Sequence, residues 1–425
     1  MRGEVIVIGG GAAGLAAAGA LARGGRRVLL LEARRRLGGR IWTRRPRGWA
    51  WPVELGAEFI HGRAPEVLTR AAAGHQAVEA VGGEWGWAET GDEPVAPGWG
   101  WEERLAATPP PRRDRTFADW LAEARLPPEQ AAMARAYIEG FHAADPGAIS
   151  LRSLILGLRA ERAIGGGQSY RLAAGYGPFV ARLAAECRQA GVRIQTGAVV
   201  TAVQWAPGAV TVSAGGQLHR STQAVVTLPL SILQGVRGAA AVEFAPALAE
   251  KRAALAGLAM GPAVRLVLRF RRRFWRGRQL HAGYAAGTFT FVPQASLRAW
   301  WLGPDQAPQL TAWAAGPALW AVPRGARLAA AAVDTLAAIT GWSGRRVRAE
   351  LLGVHAHDWQ RDRFAAGAYS YALARGAGAF AELAKPLAST LFFAGEATEA
   401  HGHHATVHGA LASGERAARE VLATA

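Results

Sequence analysis

A single cysteine, Cys187, stands in 425 residues, which excludes an intramolecular disulfide and fits a reducing compartment. Lysine is almost as scarce. Lys251 and Lys385 are the only two, so the net charge of +17 is carried almost wholly by arginine. No apolar run reaches the ~20 residues that a membrane-spanning helix needs. No basic repeat or low-complexity tail gathers the arginines, which fall in short groups at 34–36, 44–47, 112–115, 271–273 and 345–348. Charge spread this way reads as general solubility or attraction to anionic surfaces, and no nucleic-acid partner is expected. The short lead before the first apolar run leaves no room for a signal peptide, so a cytoplasmic protein that does not enter a membrane is expected. No Ser/His/Asp nucleophilic set is evident. His401, His403 and His404 share one loop without a converging cluster of acids or cysteines, and no metal is expected there.

What the chain does have is glycine, and its arrangement matters most in the first forty residues. The run Val5-Ile6-Val7-Ile8 has the length of a buried parallel strand. Gly9-Gly10-Gly11-Ala12-Ala13-Gly14 follows, then an Ala/Leu segment from Leu15 to Ala22 that favours helix. A second apolar run, Val28 to Leu31, ends at Glu32, which lies 21 positions after Gly11. Strand, G-x-G-x-x-G turn, helix, strand and acid in this order make a dinucleotide site. Gly9 permits the tight turn, Gly11 lets a pyrophosphate approach the backbone, and Gly14 allows close helix–strand packing. The helix start at Ala12 and Ala13 faces the anion, and Glu32 suits a ribose hydroxyl pair. The next run, Glu32-Ala33-Arg34-Arg35-Arg36-Leu37-Gly38-Gly39-Arg40, resembles the extension by which flavoproteins of this fold return arginine and glycine amides to the pyrophosphate of FAD. Arg35 and Arg36 fit a solvated turn better than Arg34 and Arg40 do.

Further along, glycines at 56 and 62 flank a short apolar piece, as for backbone lying against a flat ligand. Residues 63–148 turn rich in Trp, Pro and Gly, with a loop expected at 91–113 and helices around 116–125 and 128–140. Pro178 opens a helix that ends before Gly191. Apolar runs at 192–196, 199–205, 210–213 and 224–227 predict a return to the dinucleotide sheet. A helix near 247–257, a strand at 264–270, aromatic-rich strands and a helix at 327–339 depart from it again. A buried strand ends at Gly395, and a last helix runs from about Thr406 to Leu422. The pattern predicts an α/β protein. A Rossmann-type FAD-binding domain (1–62, 170–240 and 385–425) is interleaved with an α+β substrate-binding domain (63–169 and 241–384).

Several blocks then match a known family in its order: the N-terminal fingerprint through Gly39-Arg40, Leu55-Gly56-Ala57-Glu58-Phe59-Ile60-His61-Gly62, Thr227-Leu228-Pro229 and Phe274-Trp275. Phe393-Ala394-Gly395-Glu396-Ala397-Thr398 and Ala405-Thr406-Val407-His408-Gly409-Ala410 complete the set. The chain resembles the flavin-containing amine oxidases, with a tail closest to polyamine oxidases and lysine-specific histone demethylases. The resemblance implies that Glu32 holds the adenosine ribose and that Arg34, Gly39 and Arg40 line the pyrophosphate. It implies that Gly56, Ala57 and Glu58 run along the flavin edge or ribityl chain, and that Val199 meets adenine through its backbone. Gly395 and Glu396 would lie at the ribityl or phosphate region, and Thr406 and Val407 at the pyrimidine end. There the helix start would stabilise charge on the reduced flavin.

At the reacting face the resemblance makes Tyr369 one aromatic wall. It aligns Thr406 with the opposite wall, which leaves the cage half open. Trp359 and Phe364 match aromatic positions near the flavin, although core packing accounts equally for Phe364. Ala368 replaces the cysteine that bonds the flavin in monoamine oxidases, so FAD is expected to be non-covalent. Arg265 occupies the place of the family's water-holding lysine. It keeps the charge as a permanently protonated fork, able to order a water or clamp a carboxylate but not to act as a base. His61 matches a substrate-facing histidine that titrates near neutral pH, or is a satisfied structural residue. The function implied is FAD-dependent oxidation of a polyamine or related primary or secondary amine. Hydride transfer is followed by imine hydrolysis and by reoxidation with dioxygen to give hydrogen peroxide. Two alternatives stay open: an L-amino acid oxidase, and a flavin-binding protein with weak oxidase activity that uses another electron acceptor. Nothing in the sequence chooses between monomer and homodimer.

Overall fold

The computed structural model describes residues 4–81, 85–87, 100–236, 238, 240–275, 289–292, 295–304 and 307–424. Its organising element is a five-stranded parallel sheet in the order Leu391–Phe393, Gln223–Val226, Glu4–Ile8, Arg27–Glu32, Arg193–Thr196. Its strands read as unbroken apolar runs because both faces are covered. Val5, Val7, Val28 and Leu30 point into one core with the helices Ala12–Arg23, Tyr176–Gln189 and Val407–Ala423. Ile6, Ile8, Leu29 and Leu31 point into the other, against Val200, Val203, Val210 and Val212.

That second cover corrects the expectation that every strand between 192 and 227 rejoins the dinucleotide sheet. Only 193–196 and 223–226 do so. Val200–Ala206, Ala209–Ala214 and Gln217–Ser221 form an antiparallel meander, with Glu243–Ala245 alongside, as a separate four-stranded sheet. The reason lies in the turns. Gly208, Gly215 and Gly216 all have positive φ, which makes tight reversals, and a tight reversal can only join antiparallel neighbours. Val199 therefore precedes a strand of the covering sheet and does not belong to the dinucleotide sheet.

The excursions build a six-stranded sheet in the order 351–358, 263–270, 309–315, 299–302, 289–291, 85–87. Beside it a helical layer comprises Gly100–Ala107, Phe117–Glu123, Pro128–Gly140 and Leu151–Ala163. The first of these helices stands where a loop was expected. Trp101 and Leu105 are driven into the core of this layer, and the helix ends just before Pro109-Pro110-Pro111. Residues 91–99 of that expected loop lie outside the described residues. The helix Leu151–Ala163, unforeseen from the sequence, is announced by Ser150, whose Oγ accepts the Ser153 amide at 2.9 Å. A three-stranded sheet of Phe59–His61, Ser169–Leu172 and Val78–Val81 crosses both the 62/63 and the 169/170 limits. We propose the two-domain division with this sheet as its seam. No helix among the described residues is long and apolar enough to cross a membrane.

The N-terminal and C-terminal helices touch through missing side chains: a Cβ on Gly414 would lie 2.2 Å from the Ala13 carbonyl oxygen. Gly414→Ala is expected to cost about 1–3 kcal/mol by overpacking, read as a lowered Tm with loss of bound flavin. An unchanged Tm would show that the helices can separate at no cost.

Candidate active site

One cavity of about 470 Å³ runs from the fingerprint to the helical layer, a size in the usual range for ligand sites. Gly9, Gly11, Ala12, Ala13, Gly14, Glu32, Ala33, Arg34, Gly39, Arg40, Gly56, Ala57, Glu58 and Val199 line it, as do Gly395, Glu396, Thr406 and Val407. His61, Arg265, Trp359 and Tyr369 line the same cavity.

At the fingerprint the backbone comes as close as it can. A Cβ on Gly14 would stand 1.9 Å from the Gly9 oxygen, whereas one on Gly11 would meet nothing nearer than Gly39 Cα at 3.9 Å. Gly14 is thus needed for packing and Gly11 opens on the cavity. The helix beginning at Ala12 has no side-chain cap and no acid in its first turn, so its free amides await an anion. Gly395 has φ 138° and open space where a Cβ would be. Glu32 Oε2 accepts the Gly10 amide at 2.7 Å and Oε1 the Arg34 amide at 2.8 Å. Burial raises its pKa, and those two amides oppose the rise. These residues fit a dinucleotide such as FAD.

The arginines are less free than the sequence implied. Arg34 Nη2 bonds Asp362 Oδ1 at 2.5 Å, and its guanidinium lies 5.2 Å from the Phe364 ring centre. Arg40 Nη1 bonds Glu396 Oε1 at 2.7 Å and the Ala368 carbonyl at 2.9 Å. Glu396 Oε2 also accepts from Ser370 Oγ at 2.5 Å and from the Ala405 amide at 3.1 Å. Burial would raise the Glu396 carboxyl, but Arg40 and then Ser370 hold it low. Arg36 is not the solvated residue expected. It is half-buried over Trp42, donates to the Ile41 carbonyl at 2.9 Å, and is lowered by burial to about 10.

Arg265 is 3% exposed, on the strand Ala263–Phe270. One Nη bonds the Gly56 carbonyl at 2.7 Å and the other pairs with Glu58 Oε2. Trp301 Nε1 donates to the same carboxylate at 3.0 Å, and Arg171 stands 3.4 Å from its other oxygen. Burial alone would raise Glu58, but Arg265 and then Arg171 hold it ionised. The arginine expected to order a water or clamp a substrate carboxylate is therefore occupied by the protein's own.

Thr406, His61 and Trp359 each have partners within the protein. Thr406 caps the last helix: its Oγ1 accepts the Gly409 amide at 3.0 Å and donates to the His403 carbonyl at 2.6 Å. Its hydroxyl is spent, and Val407 becomes the first helical residue facing the cavity. His61 keeps a ring nitrogen 3.3 Å from Ser169 Oγ and packs against Phe141, and burial lowers it to about 4. The imidazole is neutral at pH 7 and does not titrate near it. Trp359 donates Nε1 to the Leu55 carbonyl at 2.8 Å and backs Gly56 from behind.

The ring parallel to Tyr369 is Trp313, with centres 6.5 Å apart and planes within 6°, and not a residue at position 406. Trp313 pairs in register with Arg265 across the six-stranded sheet. Its own strand alternates, with Leu310, Ala312 and Ala314 inward, and that period-two pattern was the available signal. Tyr369 donates its hydroxyl to the Phe141 carbonyl at 2.5 Å. At 401–404 the amides of His401 and His403 bond Glu399. No group of three metal-ligating side chains occurs among the described residues.

The family described as flavin-containing amine oxidoreductase matches residues 93–422, and an NAD(P)-binding Rossmann-like domain matches 7–71. The chain belongs to the flavin-containing amine oxidoreductases. Over 246 residues it is 29% identical to lysine-specific histone demethylase 1 homolog 1 of Oryza sativa subsp. japonica, covering 55% of this chain and 27% of that one. Over 65 residues it is 51% identical to histone demethylase-like protein A of Aspergillus fumigatus, covering 15% and 6%. The chain thus spans about a quarter or less of the length of these curated relatives. Its fold is that of cyclohexylamine oxidase from Brevibacterium oxydans (TM-score 0.82, 21% identity, 100% of this chain and 99% of that one). Wild-type putrescine oxidase bound to putrescine matches with TM-score 0.81 and 19% identity over 100% and 99%.

Two buried carboxyls give predictions. Glu58→Gln leaves two buried guanidinium groups undercompensated and is expected to cost about 3–5 kcal/mol, checked by chemical denaturation. Glu54 is pushed up to about 7 by burial, which outweighs the Tyr176 amide and Thr43 hydroxyl that it accepts. Its folded pKa exceeds the ordinary 4.5, so its stabilising share is full below 4.5 and is lost as pH rises through 7. Glu54→Gln, which cannot ionise, should therefore raise Tm over wild type more at pH 8 than at pH 5.

Proposed function

We propose that this chain binds FAD non-covalently and oxidises a polyamine or related primary or secondary amine. The products are an imine, which hydrolyses, and hydrogen peroxide from dioxygen. The observation that carries the reading is a cavity in which a dinucleotide cradle opens directly onto an aromatic-walled pocket, and whose lining arginines among the described residues, Arg34, Arg40 and Arg265, are each paired with an acid. FAD, when bound, supplies the acceptor for the hydride equivalent and passes the electrons to dioxygen.

The chain's own residues bind and orient. Gly11, the Ala12 amide end, Gly39 and Gly395 receive the dinucleotide, and Glu32 receives its ribose. The backbone at Gly56, held by Arg265 in front and Trp359 behind, sets the flavin plane. The start of the last helix at Val407, fixed by the Thr406 cap, faces the reduced cofactor with its positive end. Tyr369 and Trp313 confine the amine, and neutral His61 adds no competing charge. Ala368 offers no nucleophile for a covalent link. Arg265 bears on the amino acid alternative, because an α-carboxylate needs an unpaired cation and the Arg265 fork is taken by Glu58 and Gly56.

Anaerobic mixing of the yellow protein with a panel of amines is the test. Polyamines or simple amines should bleach the flavin, and admitting air should restore colour with one peroxide per turnover. L-amino acids should leave it oxidised. Bleaching by amino acids alone would overturn the reading.

A further inference from the structure

Tyr369 and Trp313 come from different sheets. Tyr369 opens the short strand Tyr369–Ala372, in register with Gly261, whereas Trp313 lies on the strand Gln309–Ala315 of the six-stranded sheet. Nothing in either sheet requires the two rings to lie parallel. What joins them is the end of a third element, the helix Pro128–Gly140. Trp313 Nε1 donates to the Gly140 carbonyl at 2.9 Å, and the Tyr369 hydroxyl donates to the next carbonyl, that of Phe141, at 2.5 Å. Burial raises the Tyr369 phenol, so it keeps the proton that it donates.

That helix end is wedged in place. A Cβ on Gly316 would lie 2.7 Å from the Glu139 carbonyl oxygen, and one on Gly261 would lie 2.5 Å from that of Ala143. Gly140 and Phe141 line the same cavity as both rings. The last carbonyls of a helix carry its negative end, equivalent to about half an elementary charge. No basic residue stands in the last turn to offset it, and the Glu139 side chain is taken by Arg298 at 2.9 Å. A helix of 13 residues thus turns its negative end toward the place where the amine is confined. The two rings add their electron-rich faces.

We propose that the end of the helix Pro128–Gly140, acting through Trp313 and Tyr369, stabilises the positive charge that appears on the substrate as its hydride leaves. The inference rests on the amine-oxidase reading and adds a source of rate to it. The C–H bond breaks and its electron pair goes with the hydride to oxidised FAD. The nitrogen lone pair closes the C=N bond, and a neutral amine becomes a planar iminium cation. A full carboxylate at this place would hold the amine protonated and unreactive. A partial charge fixed in the backbone interacts weakly with the neutral ground state and more strongly with the cation. A phenol or indole that donates to a carbonyl also becomes richer in electrons, so its face attracts the cation more. Gly140 and Phe141 are positioning residues, and Trp313 and Tyr369 are the groups that touch the substrate.

The test uses the FAD-loaded protein and two variants that keep both rings while removing one donor each, Tyr369→Phe and Trp313→Phe. Anaerobic bleaching of the flavin at saturating amine should slow by about threefold to tenfold in each, the range of a helix-terminus or hydrogen-bond contribution. The dissociation constant of the amine should move less than the rate. A binding measurement separates charge from shape. Butylguanidinium and butylurea match in size and planarity, differ in charge, and carry no amine to oxidise. Titration followed by flavin absorbance should show wild type preferring the guanidinium by about tenfold or more. Each variant should shrink that preference, and the double variant should shrink it further. Damage to folding would weaken both ligands alike and leave their ratio standing. If wild type shows no such preference, or if ratio and bleaching rate survive both substitutions, the helix end reads no cation and this inference fails alone. If no amine bleaches the wild-type flavin, the amine-oxidase reading falls as well.

Discussion

Two helix N-termini open on one cavity because side chains are missing where the first helix leaves its strand and where the last helix crosses the first. The Ala12–Arg23 helix turns off its strand with Gly14 against the Gly9 carbonyl, and the Val407–Ala423 helix lies on it with Gly414 against the Ala13 carbonyl. A methyl at Gly14 would push the first helix off the turn that follows its strand, and one at Gly414 would push the two helices apart, each by more than rotamer adjustment absorbs. The first helix then brings uncapped amides to the cavity, and the last brings its start to the same cavity. Segments from the two ends of the chain become one surface, and the five-stranded sheet holds their spacing.

Inside that surface, charge is balanced pair by pair. Arg34 is matched by Asp362, Arg40 by Glu396, and Arg265 by Glu58. The strongly positive sequence thus carries no free cation from these arginines into the cavity. Affinity for the pyrophosphate then falls mainly on backbone amides, which are fixed in place and pay no side-chain entropy. Buried ion pairs of this kind add little net stability, but removing either partner is expensive. Their use here is positional. Arg265 holds the Gly56 carbonyl while Glu58 holds Arg265, so this strip of backbone lining the cavity is fixed from both sides.

Much of this was legible because it is local. The fingerprint, the strands at 4–8, 27–32 and 391–393, and the last helix beginning after Thr406 follow from apolar runs, glycine spacing and a cap. What escaped is what depends on partners far off in sequence. Glu58 and Arg265 are separated by 207 positions, and nothing in either neighbourhood tells of the other. Trp313 faces Tyr369 because two strands of different sheets meet there. The meander at 200–221 reads from sequence as part of the parallel sheet, because strand content is local whereas strand partner is not. His61 titrates near neutrality as a free residue and is held neutral only by its surroundings.

The pairing bears on chemistry as well as on shape. Oxidation of an amine requires a neutral nitrogen with a lone pair, and an unpaired acid beside it would favour the protonated, unreactive form. Glu58 and Glu396 line the cavity, but Arg265 engages the first, and Arg40 and Ser370 engage the second. Carboxylates tied up in this way fix the backbone around the cavity without competing for the proton of an amine that enters it.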